Sequence, residues 1–109
     1  MLELWQTEWC PASRRVRQRL TELGIDYVIR QVPVGKDERV ALRGVTGSDM
    51  IPALVFDGAE CAIGEEAILR MLDDAVAEPV QAEAHRQKAA KARRRYLEEE
   101  CECSQPATR

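Results

Sequence analysis

The sequence predicts an α/β domain with the element order β-α-β-α-β-β-α, built on a four-stranded mixed sheet and followed by an extra C-terminal helix. Three observations carry that expectation. An alternating apolar segment runs into a Cys-Pro helix start, a glycine stop separates that helix from a β-branched segment, and a later apolar run is followed at once by an Asp-Gly turn.

Leu2, Glu3, Leu4 and Trp5 alternate apolar and polar, as a strand with one buried face does. Polar Gln6 to Glu8 lead to Cys10 and Pro11, and proline at the first helical position marks a helix start because its missing N–H has no partner there anyway. Val16, Leu20 and Leu23 give that helix an apolar stripe, with Arg14, Arg15, Arg17 and Arg19 outside it and Gly24 where a C-terminal cap belongs. Ile25 to Ile29 then read as a second strand, parallel to the first through the intervening helix. Asp37 to Arg43 read as a short second helix, broken by Gly44 to Asp49.

Ile51 to Phe56 form a buried strand with a proline at its start, Asp57 and Gly58 a hairpin turn, and Glu60 to Ala62 a return strand. From Glu65 to Leu72 a helix opens with acidic residues in its first turn and carries Ile68, Leu69 and Leu72 on one side. Beyond Pro79 the composition turns to Ala, Arg, Lys and Glu. The boundary therefore falls between a folded unit, residues 1–78, and a charged helix with a tail, residues 79–109. The helix over 81–100 is a solvated element docked through residues such as Tyr96 and Leu97, or a partner-binding surface.

At 109 residues the chain holds one core, and 45% hydrophobic with 32% charged residues is an ordinary soluble balance. The formal charge of -3 argues against non-specific attraction to nucleic acid or acidic lipid. No basic leader precedes the first strand and no apolar run is long enough to span a bilayer, so no membrane partner and a cytoplasmic location are expected. There the four cysteines, Cys10, Cys61, Cys101 and Cys103, stay mostly reduced, which leaves catalysis, metal binding or inert packing for each.

Cys10 stands out. A thiol at a helix N-terminus lies where free backbone N–H groups favour an anion, Ser13 offers a hydroxyl one turn on, and Arg14 and Arg15 add positive charge. Glu8 opposes them. A buried, inert Cys10 is the alternative reading.

Trp9 to Ser13 after the first strand, Thr46 to Pro52 before the third, and Gly64 to Glu66 opening the third helix resemble the glutaredoxin family, and equally the N-terminal domain of glutathione transferases. Both have a thioredoxin-like fold. The resemblance implies that Cys10 is the nucleophile and Ser13 stands in the place of a resolving cysteine. It further implies that Ile51 precedes a cis Pro52 and pairs through its backbone with the cysteinyl part of glutathione, and that Gly64 and Glu65 hold the γ-glutamyl end. Glu65 and Glu66 depart from the family pattern and read equally as plain acids at a helix start. Glu8 replaces a frequent lysine. The glycine carboxylate then falls to Arg14, Arg39 or Arg43, of which Arg43 is best placed; each also reads as a solubilising surface residue.

The expected function is a monothiol thiol-disulfide oxidoreductase acting on mixed disulfides of glutathione, or a similar small thiol, with glutathione as co-substrate, a disulfide or glutathionylated protein as partner, and no metal. Cys101 or Cys103 could resolve Cys10 from the tail, and Cys61 reads as inert packing. Three alternatives remain: a glutathione-transferase-like binding domain, an iron-sulfur-binding module using Cys10, and a non-catalytic interaction protein. His85 reads as solvated, and Cys101 with Cys103 as at most half of a shared metal site.

Overall fold

The structure, a computed structural model, describes residues 1–57 and 60–93. Strand β1 spans Leu2–Gln6, helix α1 Pro11–Glu22, strand β2 Val28–Gln31, helix α2 Val40–Thr46, strands β3 and β4 Ala53–Phe56 and Glu60–Ile63, and helices α3 and α4 Glu65–Ala75 and Ala82–Arg93. The strand order is β2-β1-β3-β4, with β1 parallel to β2, and β3 antiparallel to both β1 and β4. This is the thioredoxin-like arrangement the resemblance implied.

Period-two alternation divides the core. Leu4 and Leu54, paired in register, join Val16, Leu20, Leu23, Ala62, Ile68 and Leu72 in the main cluster beneath α1 and α3. Trp5 and Ala53, paired one residue on, face the other way and pack with Val32, Leu42 and Ile51 beside α2. The sheet is thus covered on both sides, and the ends of α1, β3 and α3 are held in one frame.

Helix α1 starts and stops as its sequence requires. Cys10 is the N-cap with extended backbone, Pro11 is the first helical residue, and Gly24 takes φ +69, a left-handed conformation that a side chain would disfavour. Several expected boundaries move, among them the start of the third strand, which is Ala53 and not Ile51. The second strand begins at Val28, not Ile25, because Ile25 and Tyr27 leave the sheet to pack against the main core. The second helix begins at Val40, not Asp37: Lys36–Glu38 form a 3-10 turn, Arg39 breaks the run, and the helix continues through Gly44 to a left-handed Gly47 at φ +81. Helix α3 also runs on to Ala75.

Helix α4 lies on α1. Ala82 is fully buried, and Arg86 reaches the half-hidden end of α1, where its Nη1 donates to Glu22 at 3.1 Å. An open groove of about 600 Å³ runs between the two helices, lined by Arg14, Gln18 and Glu22 on one side and Arg86, Ala89 and Arg93 on the other. The two helices therefore run antiparallel. Tyr96 and Leu97, expected to dock this helix, lie outside the described residues, as do Cys101 and Cys103; the docking observed uses Ala82 and Arg86.

Candidate functional site

The N-cap of α1 places the Cys10 sulfur over the free end of the helix. The Ser13 backbone N–H donates to Sγ at 3.4 Å. The Ser13 side chain is fully buried, and among the described residues its hydroxyl has no nitrogen or oxygen partner in reach, so the neighbouring sulfur is the acceptor it serves once that sulfur is ionised. Burial pushes the Cys10 thiol up, but the Ser13 hydroxyl, the backbone N–H groups of Ser13 and Ala12, and the Arg15 charge outweigh it and hold the thiol below its ordinary value of 9.0. The sulfur is half-buried rather than sealed.

The opposing charge of Glu8 is engaged elsewhere. Its carboxylate pairs with Arg17 at 3.5 Å and accepts from Gln6 Nε2 at 3.2 Å. Arg17 also donates to the Gln6 side-chain oxygen and to the Thr7 carbonyl. This anchors the loop that delivers Cys10.

Arg15, on the second turn of α1, crosses to α3 and donates from Nε and Nη2 to the two oxygens of Glu65 at 2.5 and 2.9 Å. The hydrogen bonds from Arg15 hold the Glu65 carboxyl below the usual range. Glu66 turns away, largely exposed, and pairs with Arg70 at 3.1 Å on its own helix. The two adjacent glutamates thus differ: Glu65 belongs to the Cys10 surroundings and Glu66 is a surface acid.

The Ile51-Pro52 bond is cis, as the resemblance implied, and Pro52 is buried. The Pro52 carbonyl accepts from the Gly64 N–H at 2.8 Å, which ties the start of β3 to the N-cap of α3. Gly64 adopts φ +91, and a side chain there would press on Met50 Sδ at 3.2 Å. Hence Cys10 and Ser13 are joined directly, Pro52 and Gly64 directly, and the two halves are linked through Arg15 and Glu65.

Arg43 stands apart from that chain of contacts. Its Nη1 and Nη2 donate to the carbonyls of Lys36 and Asp37 at 2.7 and 3.0 Å. Arg39, which as a sequence reads as a surface or carboxylate-binding residue, is 95% hidden (5% exposed), and all three of its guanidinium nitrogens donate to backbone carbonyls. Sequence reasoning misses that role because it depends on how the loops at Pro33–Val34 and Asp49 turn their carbonyls, and it misses the Arg15–Glu65 pair because those residues lie fifty positions apart. Trp9 and Met50 remain exposed at the rim.

A family model described as glutathione S-transferase, N-terminal domain, matches residues 9–75. No curated protein matches. Among solved structures, a diazinon-metabolizing glutathione S-transferase of the silkworm Bombyx mori aligns with TM-score 0.62 and 26% identity over 70% of this chain and 38% of its own. FzlA from C. crescentus aligns with TM-score 0.61 and 27% identity over 72% of this chain and 35% of its own. A glutathione S-transferase from Sinorhizobium meliloti, at 22% identity, shares the fold with TM-score 0.64 over 80% of this chain and 42% of its own. The chain therefore spans less than half the length of these structures.

Proposed function

The chain belongs to the glutathione S-transferase N-terminal domain family, and from that premise we propose that it binds glutathione and uses Cys10 for monothiol exchange on glutathione mixed disulfides. One observation carries the reading: the Cys10 sulfur caps α1, accepts the Ser13 N–H at 3.4 Å and has its thiol held low. The Cys10 thiolate attacks the glutathione sulfur of the mixed disulfide, the substrate thiolate leaves, and a Cys10–glutathione disulfide forms. A second glutathione thiolate attacks the glutathione sulfur of that adduct, releasing glutathione disulfide and restoring Cys10. Ser13 cannot resolve the adduct by a disulfide; its part is to stabilise the thiolate.

In this reading the Ile51 backbone at the start of β3 receives the cysteinyl part of glutathione, beside Pro52. Gly64 and Glu65 receive the γ-glutamyl end at the α3 N-terminus. Arg43 offers a half-exposed guanidinium on the α2 side for the glycine carboxylate. Glutathione is then a co-substrate, the partner is a disulfide or glutathionylated protein, and the regeneration step requires a reducing compartment, for which we assign the cytoplasm. No helix among the described residues is long and apolar enough to cross a membrane.

The family itself favours a second reading, transfer of glutathione to an electrophile, in which Cys10 would hold a glutathione thiolate without becoming oxidised. The experiment is intact-mass analysis after glutathione disulfide treatment, with the pH dependence of Cys10 alkylation, in the native chain and in Cys10→Ser. A single glutathione adduct on Cys10 and an alkylation midpoint below that of a free thiol support exchange. Absence of the adduct, with conjugation of an aryl halide that survives Cys10→Ser, would select transfer instead.

A further inference from the structure

Resting on the glutathione-binding reading above, we infer that Arg39 is a positioning residue: its buried guanidinium fixes the Asp49–Pro52 backbone in the geometry that receives the thiol ligand, without touching the ligand. Arg39 lies between the 3-10 turn and α2 and is only 5% exposed. Nε donates to the Pro33 carbonyl at 2.8 Å, Nη2 to the Val34 carbonyl at 3.1 Å and Nη1 to the Asp49 carbonyl at 2.9 Å. One planar fork thereby joins two loops, the one leaving β2 and the one entering β3.

The loop entering β3 is held along its length. Thr46 Oγ1 shares its one proton between the Leu42 and Ser48 carbonyls, both at 3.0 Å, and accepts the Ser48 N–H, and Ser48 Oγ accepts the Met50 N–H at 3.1 Å. Arg39 then fixes Asp49, and the Gly64 N–H fixes Pro52. Met50 and Ile51 are the span between those two anchors. Their backbone is the edge that the proposed function assigns to the ligand, so its placement depends on Asp49 remaining where Arg39 holds it. A lysine keeps the charge but presents one compact ammonium, which cannot serve carbonyls on both loops in the same plane.

The test is Arg39→Lys in the full chain, read by binding of S-methylglutathione, which occupies the site without chemistry, and by amide hydrogen exchange. Kd is expected to rise about tenfold, with the Cys10 alkylation midpoint unchanged and faster exchange confined to Val34 and to residues 49–51. Leu23→Ala, a core truncation away from these loops, controls for general destabilisation and should leave exchange at 49–51 unchanged. Unaltered Kd, a shifted alkylation midpoint, or exchange that rises evenly across the fold overturns the role.

Should Arg39→Lys fail to fold, the Arg39 Nε–H of the native chain gives the answer by NMR. Slow solvent exchange that slows further with S-methylglutathione is expected, and exchange at the rate of a free arginine overturns the inference. If the native chain binds no S-methylglutathione at all, the glutathione-binding reading fails on its own. The localised exchange change in Arg39→Lys still decides whether Arg39 positions the loop.

Discussion

Arg15 grips Glu65 across two helices, its Nε and Nη2 meeting both carboxylate oxygens at 2.5 and 2.9 Å, and the same guanidinium lends positive charge to Cys10. The pair is the contact through which the thiol and the start of α3 sense each other. Arg15→Gln removes the cation that helps hold the thiolate and leaves Glu65 unopposed, so the Cys10 alkylation midpoint should move up. The alkylation rate at pH 7 should fall about threefold. Because the Arg15 side chain is half exposed, ions screen its charge, and the difference from the native chain should shrink in molar salt. A difference that persists unchanged in high salt would mean that the substitution acts by distorting the helix rather than through charge.

Ser13→Ala separates stability from reactivity. The hydroxyl is buried without a nitrogen or oxygen partner among the described residues, and replacing it by hydrogen removes an unmet desolvation requirement. Thermal or urea unfolding should show the variant unchanged or more stable by up to about 1 kcal/mol. The alkylation midpoint of Cys10 should nonetheless move up, since the side-chain donor to the thiolate is gone. Loss of stability with an unchanged midpoint would place the hydroxyl in packing alone.

The contrast between Ser13 and Arg39 shows what the chain discloses by itself. Cys10, Pro11, Ser13 and Gly24 are local signals: each acts within one or two turns of its own backbone, so helix α1 and the cysteine at its start were legible. The alternation at Leu2, Glu3 and Leu4 announced a strand with one buried face, whereas the second cluster, on the Trp5 side, came only with the structure. What was not legible depends on how the folded chain brings partners together. Ile25 and Tyr27 have the composition of a strand, but the main core captures them before β2 begins. Arg39 and Arg43 have the composition of a solvated face, yet their forks meet carbonyls exposed by the 3-10 turn and the neighbouring loops. A charge can be counted from a sequence; the carbonyl it will meet cannot.

Gly64→Ala tests how tightly the α3 N-cap is built. A non-glycine residue at φ +91 is strained, and its Cβ would stand 3.2 Å from Met50 Sδ. The substitution should cost about 1–2 kcal/mol in urea unfolding. Met50 is exposed and flexible, so adding Met50→Ala should relieve the side-chain part of that loss and leave the backbone part. Full recovery in the double variant would show that the contact, not the dihedral, had been limiting.

Glu22 makes the seating of α4 dependent on pH. Its carboxylate is nearly buried and accepts from Gln18 Nε2 at 2.9 Å, Arg19 Nη1 at 2.8 Å and Arg86 Nη1 at 3.1 Å, while Arg19 also reaches Asp73 and Glu78, and Arg86 reaches Glu78 and Glu83. Burial pushes the Glu22 carboxyl up, but those three donors outweigh it, and the group is held below its ordinary value of 4.5. A carboxyl depressed in the folded state contributes stability that is fully present above the unfolded value and is lost as pH falls through the folded one. Protection of the α4 amides should therefore be constant from neutral pH down to about 5 and decline below 4.5. Glu22→Ala should cost about 2 kcal/mol at pH 7, because it leaves Arg19 and Arg86 short of a buried acceptor. Glu22→Gln keeps the shape and removes the titration, so its α4 protection should start lower and fall less steeply below pH 4.5. The outer acids Asp73, Glu78 and Glu83 still titrate in that variant, so some slope remains. An unchanged slope would assign the pH dependence to those surface pairs and not to Glu22.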